Sequence, residues 1–182
     1  MEAWVLLLRG VGGPVQVSAR LLRATLAAEG FDHVAAYGHT GNAVLASPLP
    51  REEVLARATE ACARELGFRK DLHLVAGADW AALVERNPFP EAAARPSTLH
   101  AAILGADPDP ACVAAIRAMG DGRDGLEVLG RVAYIHAPQG FSRSRIATRF
   151  DRRIGVPTTA RNWNTVQRLL TLVERTRAAE PA

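Results

Sequence analysis

Apolar patterns in this chain run strand, helix, strand, strand twice, once on each side of a stretch rich in proline and alanine. Few folds accommodate that order. Residues 3–9 are aliphatic and β-branched, as a strand covered on both faces requires, and glycines end the run. Ser18 is a good N-cap for a helix through Leu22 and Leu26, with Gly30 at its C-terminus. Strands over residues 33–37 and 42–46 follow, joined by Gly38-His39-Thr40-Gly41. A second helix covers residues 50–66. Its Leu55, Ala58, Cys62 and Leu66 form one apolar stripe, and Gly67 closes it. A strand over residues 71–76 completes βαββαβ, the split βαβ of a ferredoxin-like unit.

Residues 78–97 read as a helix capped by Asp79, with Trp80, Leu83 and Val84 as its apolar face, followed by a linker. A strand over 98–104 opens the second half. Asp109-Pro110 then starts a helix whose Val113 and Ile116 face inward. Residues 126–129 and 132–136 form a hairpin around Gly130-Arg131. The last quarter reads as helical, ending in a helix capped by Asn162, with Trp163, Val166, Leu170 and Val173 on one face. The expected fold class is therefore α+β, with ferredoxin-like halves over residues 1–77 and 98–182. The second half is βαββ plus C-terminal helices, and a degenerate duplication would account for the echo.

A chain of 182 residues, 48% hydrophobic and 23% charged, is long enough to bury roughly 70% of its unfolded surface. Its longest apolar run, residues 3–8, falls short of the roughly 20 residues that span a bilayer, so no membrane partner is expected. The N-terminus lacks the basic, apolar and small-residue segments of a secretory leader, which makes the cytoplasm the expected compartment. Cys62 and Cys112 both fall on apolar helix faces and read as two buried thiols. The five histidines, at 33, 39, 73, 100 and 136, have no metal-ligand spacing, and no cofactor motif is present.

Positive charge is concentrated late in the chain. From Arg143 to Arg161 there are six arginines and one acid, Asp151, a net of +5 in a chain whose total is +3. An anionic ligand would be drawn there. Ile146, Phe150 and Ile154 recur every four residues as a buried edge, which puts Arg145, Arg149, Arg152 and Arg153 on the outer sides of a helix. A solvated face and a phosphate or nucleic-acid surface both fit this pattern. Arg161 and Asn162 stand where a helix N-terminus offers unpaired N–H groups.

Arg9-Gly10-Val11-Gly12-Gly13 lies between a strand and a helix, where a tight turn or backbone contact with an anion both fit. It is not a P-loop, because the Lys-Ser/Thr pair is missing. Tyr37-Gly38-His39-Thr40-Gly41-Asn42 is a turn whose His39 is the best available base, although no nucleophile stands at a recognisable spacing from it.

Leu7-Leu8-Arg9-Gly10 with Gly12-Gly13, Tyr37 with Thr40-Gly41-Asn42, Asn87-Pro88-Phe89, Gly140 with Ser142 and Ser144, and Thr159 with Arg161-Asn162-Trp163-Asn164-Thr165-Val166 occur in that order along the chain. Together they resemble the bacterial domain-of-unknown-function family sixteen-ninety-seven. That resemblance implies an α+β fold of two ferredoxin-like halves and brings no established activity. Two positions depart from the family pattern. The opening usually reads L-L-R-G-I-N-V-G-G, and the I-N pair is absent here; where the family tends to have Y-I-x-S-G-N, any role of the serine passes to Thr40.

The leading expectation is a protein that binds a phosphate-bearing small molecule or nucleic acid through Arg9, Gly12, Gly13, Thr40, Asn42, Arg143, Arg145, Arg161 and Asn162. An RNA-recognition version is weakened because the strand over 42–46 lacks stacking aromatics. One alternative is an enzyme that uses His39 on a phosphorylated or carboxylated metabolite in a cleft between the halves. Another is a structural or interaction protein with no small ligand.

Overall fold

The computed structural model describes residues 1–12, 15–67 and 69–179. The chain divides into two compact units, one of Met1–Ala82 with Gln167–Ala182 and the other of Leu83–Val166. The fold is mixed α+β, with two four-stranded antiparallel sheets and six α-helices among the described residues.

In the first unit, β1 (Glu2–Leu8) leads through α1 (Ala19–Ala28) to β2 (Asp32–Tyr37) and β3 (Asn42–Ser47), then through α2 (Arg51–Leu66) to β4 (Leu72–Ala76). The sheet order is β2-β3-β1-β4, with every neighbouring pair antiparallel. Central β1 is buried along its length after Glu2, which is why its sequence is an unbroken apolar run rather than an alternation. Its Trp4, Leu6 and Leu8 share one cluster with Leu22 and Leu26 of α1 and Val54, Ala58 and Cys62 of α2. The buried ridge of α2 is centred on Val54, Ala58, Ala61 and Cys62, while Leu55 and Leu66 of the expected stripe are half-buried. Ser18 caps α1 by accepting the Leu21 N–H at 3.1 Å, and Gly67 ends α2 in the left-handed region.

One glycine is fixed by space as well as by φ. Gly41 has φ of +71°, and a Cβ there would stand 2.6 Å from Cβ of Leu8. Its carbonyl accepts the Leu8 N–H at 2.8 Å, so the β2–β3 turn is seated on the end of β1.

After β4 comes α3 (Gly77–Glu85), which starts at Gly77, so Asp79 lies inside its first turn rather than capping it. The proline-containing stretch expected to be a linker forms two short 3-10 turns, Pro90–Ala94 and Pro96–Thr98. Asn87 braces their approach, its Oδ1 accepting the Phe89 N–H and its Nδ2 donating to the Phe89 carbonyl.

The second unit continues with β5 (Leu99–Leu104), α4 (Pro110–Arg117), β6 (Gly125–Leu129), β7 (Val132–His136), α5 (Ala147–Arg153) and β8 (Thr158–Asn162). Its order is β6-β7-β5-β8, again wholly antiparallel. Asp109 caps α4, and Gly130 turns the β6–β7 hairpin at φ of +59°. Ile146, Phe150 and Ile154 are buried with Ile116, Leu126 and Ile135, as their four-residue spacing predicts.

β8 corrects the reading of the last quarter as wholly helical. The β-branched pair Thr158-Thr159 enters an extended strand that pairs with β5 from Leu104↔Thr158 to His100↔Asn162. The last helix, α6 (Trp163–Ala178), follows with no intervening turn, and Asn162 accepts the Thr165 N–H at 3.0 Å as its cap. Trp163, Val166 and Val173 are buried as expected. Leu169 is buried as well, and Leu170 is only half-buried. From Gln167 onward α6 belongs to the first unit, although the sequence reading grouped it with the second half. Its placement there is tight: a Cβ on Gly77 would meet Cγ1 of Val173 at 2.8 Å. Among the described residues no helix is long and apolar enough to cross a membrane.

Candidate functional site

In the first unit the chain gathers Arg9, Gly12, Thr40 and Asn42 around the C-terminal end of β1. Arg9 follows the strand, its N–H donating to the Asp71 carbonyl at 2.8 Å and its Nη1 lying 3.6 Å from Asp71 Oδ2. Asn42, buried, donates from Nδ2 to the Tyr37 carbonyl at 3.1 Å and to Thr40 Oγ1 at 3.0 Å. Val17 bridges to Thr40, and its N–H donates to the carbonyl of His39, whose side chain is exposed.

The backbone geometry there differs from an anion cradle. The Gly12 N–H donates to the Val15 carbonyl at 2.6 Å and Val15 returns the bond, so the Gly12 donor is turned into its own loop. Gly13 lies outside the described residues. A Cβ on Gly10 would stand 3.7 Å from Lys70 Nζ, which puts the only lysine of the chain beside this loop.

In the second unit the arginines separate by environment. Arg161, on β8, is buried, and its Nη1 donates to Thr159 Oγ1 at 2.7 Å and to the Ala160 carbonyl at 2.9 Å. Burial lowers its pKa to about 10, which still leaves it charged at neutral pH. Asn162 is half-buried and its Oδ1 is committed to the α6 cap.

By contrast Arg143, Arg145, Arg149, Arg152 and Arg153 are all exposed. None of the five side chains makes an ion pair or side-chain hydrogen bond among the described residues. At about 100° per residue, Arg149, Arg152 and Arg153 fall within a sector of about 100° on α5. The buried Ala147 and Phe150 take the neighbouring sector. Each guanidinium offers five N–H donors in a planar fork suited to phosphate, so the arrangement can hold a polyanion.

Three other groups in this unit, left out of the expected binding site, are held in defined surroundings. Ser144 is buried at the head of α5, donating to Asp124 Oδ2 at 2.7 Å and accepting the Ala147 N–H at 2.9 Å. His100 lies against Phe141 with ring centroids 4.2 Å apart and planes tilted by 45°, and its buried Nδ1 has no hydrogen-bond partner among the described residues. Burial pushes its pKa down to about 4. His136 lies against Phe89, with its pKa lowered by burial and then by Arg95 and partly restored by Asp124. A histidine on a strand next to apolar residues is the one sequence signal that these rings are sheltered.

No group of three or more His, Cys, Asp or Glu that could hold a metal is found among the described residues. Both cysteines are free. Cys62 is buried, and desolvation raises its thiol to about 11, whereas Cys112, expected to be buried, is half-buried near the end of α5.

The fold and the site define a two-sheet α+β protein with a surface of unpaired arginines among the described residues. Residues 1–134 match the family described as "Protein of unknown function (DUF1697)", and the chain belongs to that family. The Thr159–Val166 motif lies beyond the matched region. The fold is similar to the solved structure of conserved bacterial protein SP0830 from Streptococcus pneumoniae, with a TM-score of 0.70 and 19% identity. The likeness covers 97% of this chain and 99% of the other, and at that identity it speaks to the fold alone. No curated protein matches the chain.

Proposed function

We propose that the protein binds a polyanion, nucleic acid being the favoured case, on the arginine face formed by α5 and the turn before it. The observation that carries this reading is the exposure of Arg143, Arg145, Arg149, Arg152 and Arg153 with no carboxylate partner among the described residues. Like charges three and four residues apart destabilise a helix by a few tenths of a kcal/mol per pair, and a phosphate chain seated on them relieves that repulsion. Arg161 and the loop of Arg9 and Gly12 stand outside this surface. Their described hydrogen bonds run to neighbouring groups, the Thr159 hydroxyl and local backbone carbonyls.

We also infer that each unit is ferredoxin-like and that the two arose by a degenerate duplication. The support is the shared strand order, β2-β3-β1-β4 and β6-β7-β5-β8, with a helix after the first and third strand of each set. A bacterial cytoplasm, where Cys62 and Cys112 would stay reduced, is the setting that fits this role.

Titration of labelled oligonucleotides at several salt concentrations tests the binding reading. With about five phosphates neutralised, log K should fall against log salt with a slope of about −4.5 for duplex DNA or about −3.5 for single strands. Replacing Arg145 and Arg149 by glutamine should make the duplex slope shallower by about 1.8. Undetectable binding at low salt would sink the nucleic-acid reading.

A further inference from the structure

We infer that the arginine face takes double-stranded nucleic acid in preference to single strands, an inference that rests on the polyanion reading above. Sites for single strands combine cations with exposed aromatic rings on which the bases stack. The second unit, described in full, offers no such ring. Phe150, Tyr134 and Trp163 are buried. Phe141 is half-buried with its ring against His100, and Phe89 is half-buried against His136, where a Cβ on Gly125 would meet its ring at 2.7 Å. What remains at the surface beside α5 is charge.

Charge density then favours the duplex. Arg149 to Arg153 rise about 6 Å along the helix. Over that distance a duplex presents about four phosphates and one of its strands about two, from axial spacings of about 1.7 Å and 3.4 Å per charge. Two phosphate chains flanking a groove are common to DNA and RNA duplexes, and the assay separates those sources.

The test is fluorescence anisotropy on the full chain with a DNA duplex of about 20 base pairs, an RNA duplex of the same sequence and the matching single strand, from 50 to 200 mM salt. The expected result is that at least one duplex binds on the order of tenfold more tightly than the single strand at 50 mM, with the steeper salt slope. Whichever duplex binds more tightly identifies the source. Arg149→Gln with Arg152→Gln should make the duplex slope shallower by about 1.8, with circular dichroism and melting unchanged. Single strands that bind as tightly as both duplexes overturn the preference and leave the polyanion reading standing. A duplex slope left unchanged by both substitutions overturns the assignment to α5. No binding to any of the three at 50 mM overturns the preference and the polyanion reading together.

Discussion

Acidification should destabilise the second unit through His100, by an amount that follows from its surroundings. The imidazole lies on β5 opposite Ile135 and Asn162, with Phe141 across its face and a buried, unpartnered Nδ1. Its folded pKa is about 4, against 6.5 for a solvated histidine, because the charged ring would be desolvated. A base whose folded pKa is depressed is protonated more readily in the unfolded chain. Its contribution is therefore complete above about pH 6.5, is lost as pH falls towards 4, and changes no further below that. Between pH 7 and pH 5 the loss from His100 alone is at most about 2 kcal/mol, and about 1–2 kcal/mol once partial solvent access is allowed for. His136, lowered in the same direction, adds to it. Urea unfolding of the wild type and of His100→Leu at both pH values isolates the term, because the variant should lose about 1–2 kcal/mol less on acidification whatever its stability at pH 7. Equal losses in the two proteins, or an imidazole that titrates at or above 6.5 by NMR, would refute the reasoning.

Trp163 is 1% exposed and lies 6.5 Å from the Tyr134 ring, so Trp163→Ala should cost about 3–5 kcal/mol in chemical denaturation; an unchanged midpoint would show that the cavity is filled without loss. Gly41→Ala should destabilise by about 2 kcal/mol or more, since positive φ and the 2.6 Å approach to Leu8 act together. Thermal melting reads this directly, and Gly67→Ala, also at positive φ but with nothing within 4 Å, should cost less. Cys62 should resist thiol reagents in the native protein and react on unfolding, given its burial and a pKa raised to about 11, and rapid native labelling assigned to Cys62 by mass spectrometry would contradict that.

Most of the sheet architecture was legible because local signals coincide with tertiary ones. Ser18, Asp109 and Gly130 mark boundaries by chemistry that acts within a few residues, and each does so in the structure. β8 was not legible for the same reason in reverse. Its Thr158-Thr159-Ala160-Arg161-Asn162 passes straight into a helix, and Asn162 is at once the last strand residue and the cap. The cap signal was read correctly and hid the strand beneath it. Pairing with β5, which lies more than fifty residues away in the chain, makes these residues extended, and no short-range pattern reports that. The division of α6 between the two units is hidden in the same way, since the close approach of Val173 to Gly77 is long-range.

The site divides along the same line. A count of arginines from 143 to 161 treats six guanidiniums as one charge, yet five are exposed and Arg161 is buried with a depressed pKa. The difference follows from periodicity. Arg149, Arg152 and Arg153 occupy helical positions adjoining Phe150, so the four-residue spacing of the buried edge directs them outward. Arg161 sits in a strand whose period is two, and Thr159, two residues earlier, lies on the same side and offers it a hydroxyl at 2.7 Å. Once residues 158–162 are recognised as a strand, Arg161 leaves the cationic surface and joins the sheet, which lowers the number of arginines available to a polyanion from six to five. The salt slope in the oligonucleotide titration reads that number, so a duplex slope of about −5.4 rather than −4.5 would mean that Arg161 still reaches a phosphate.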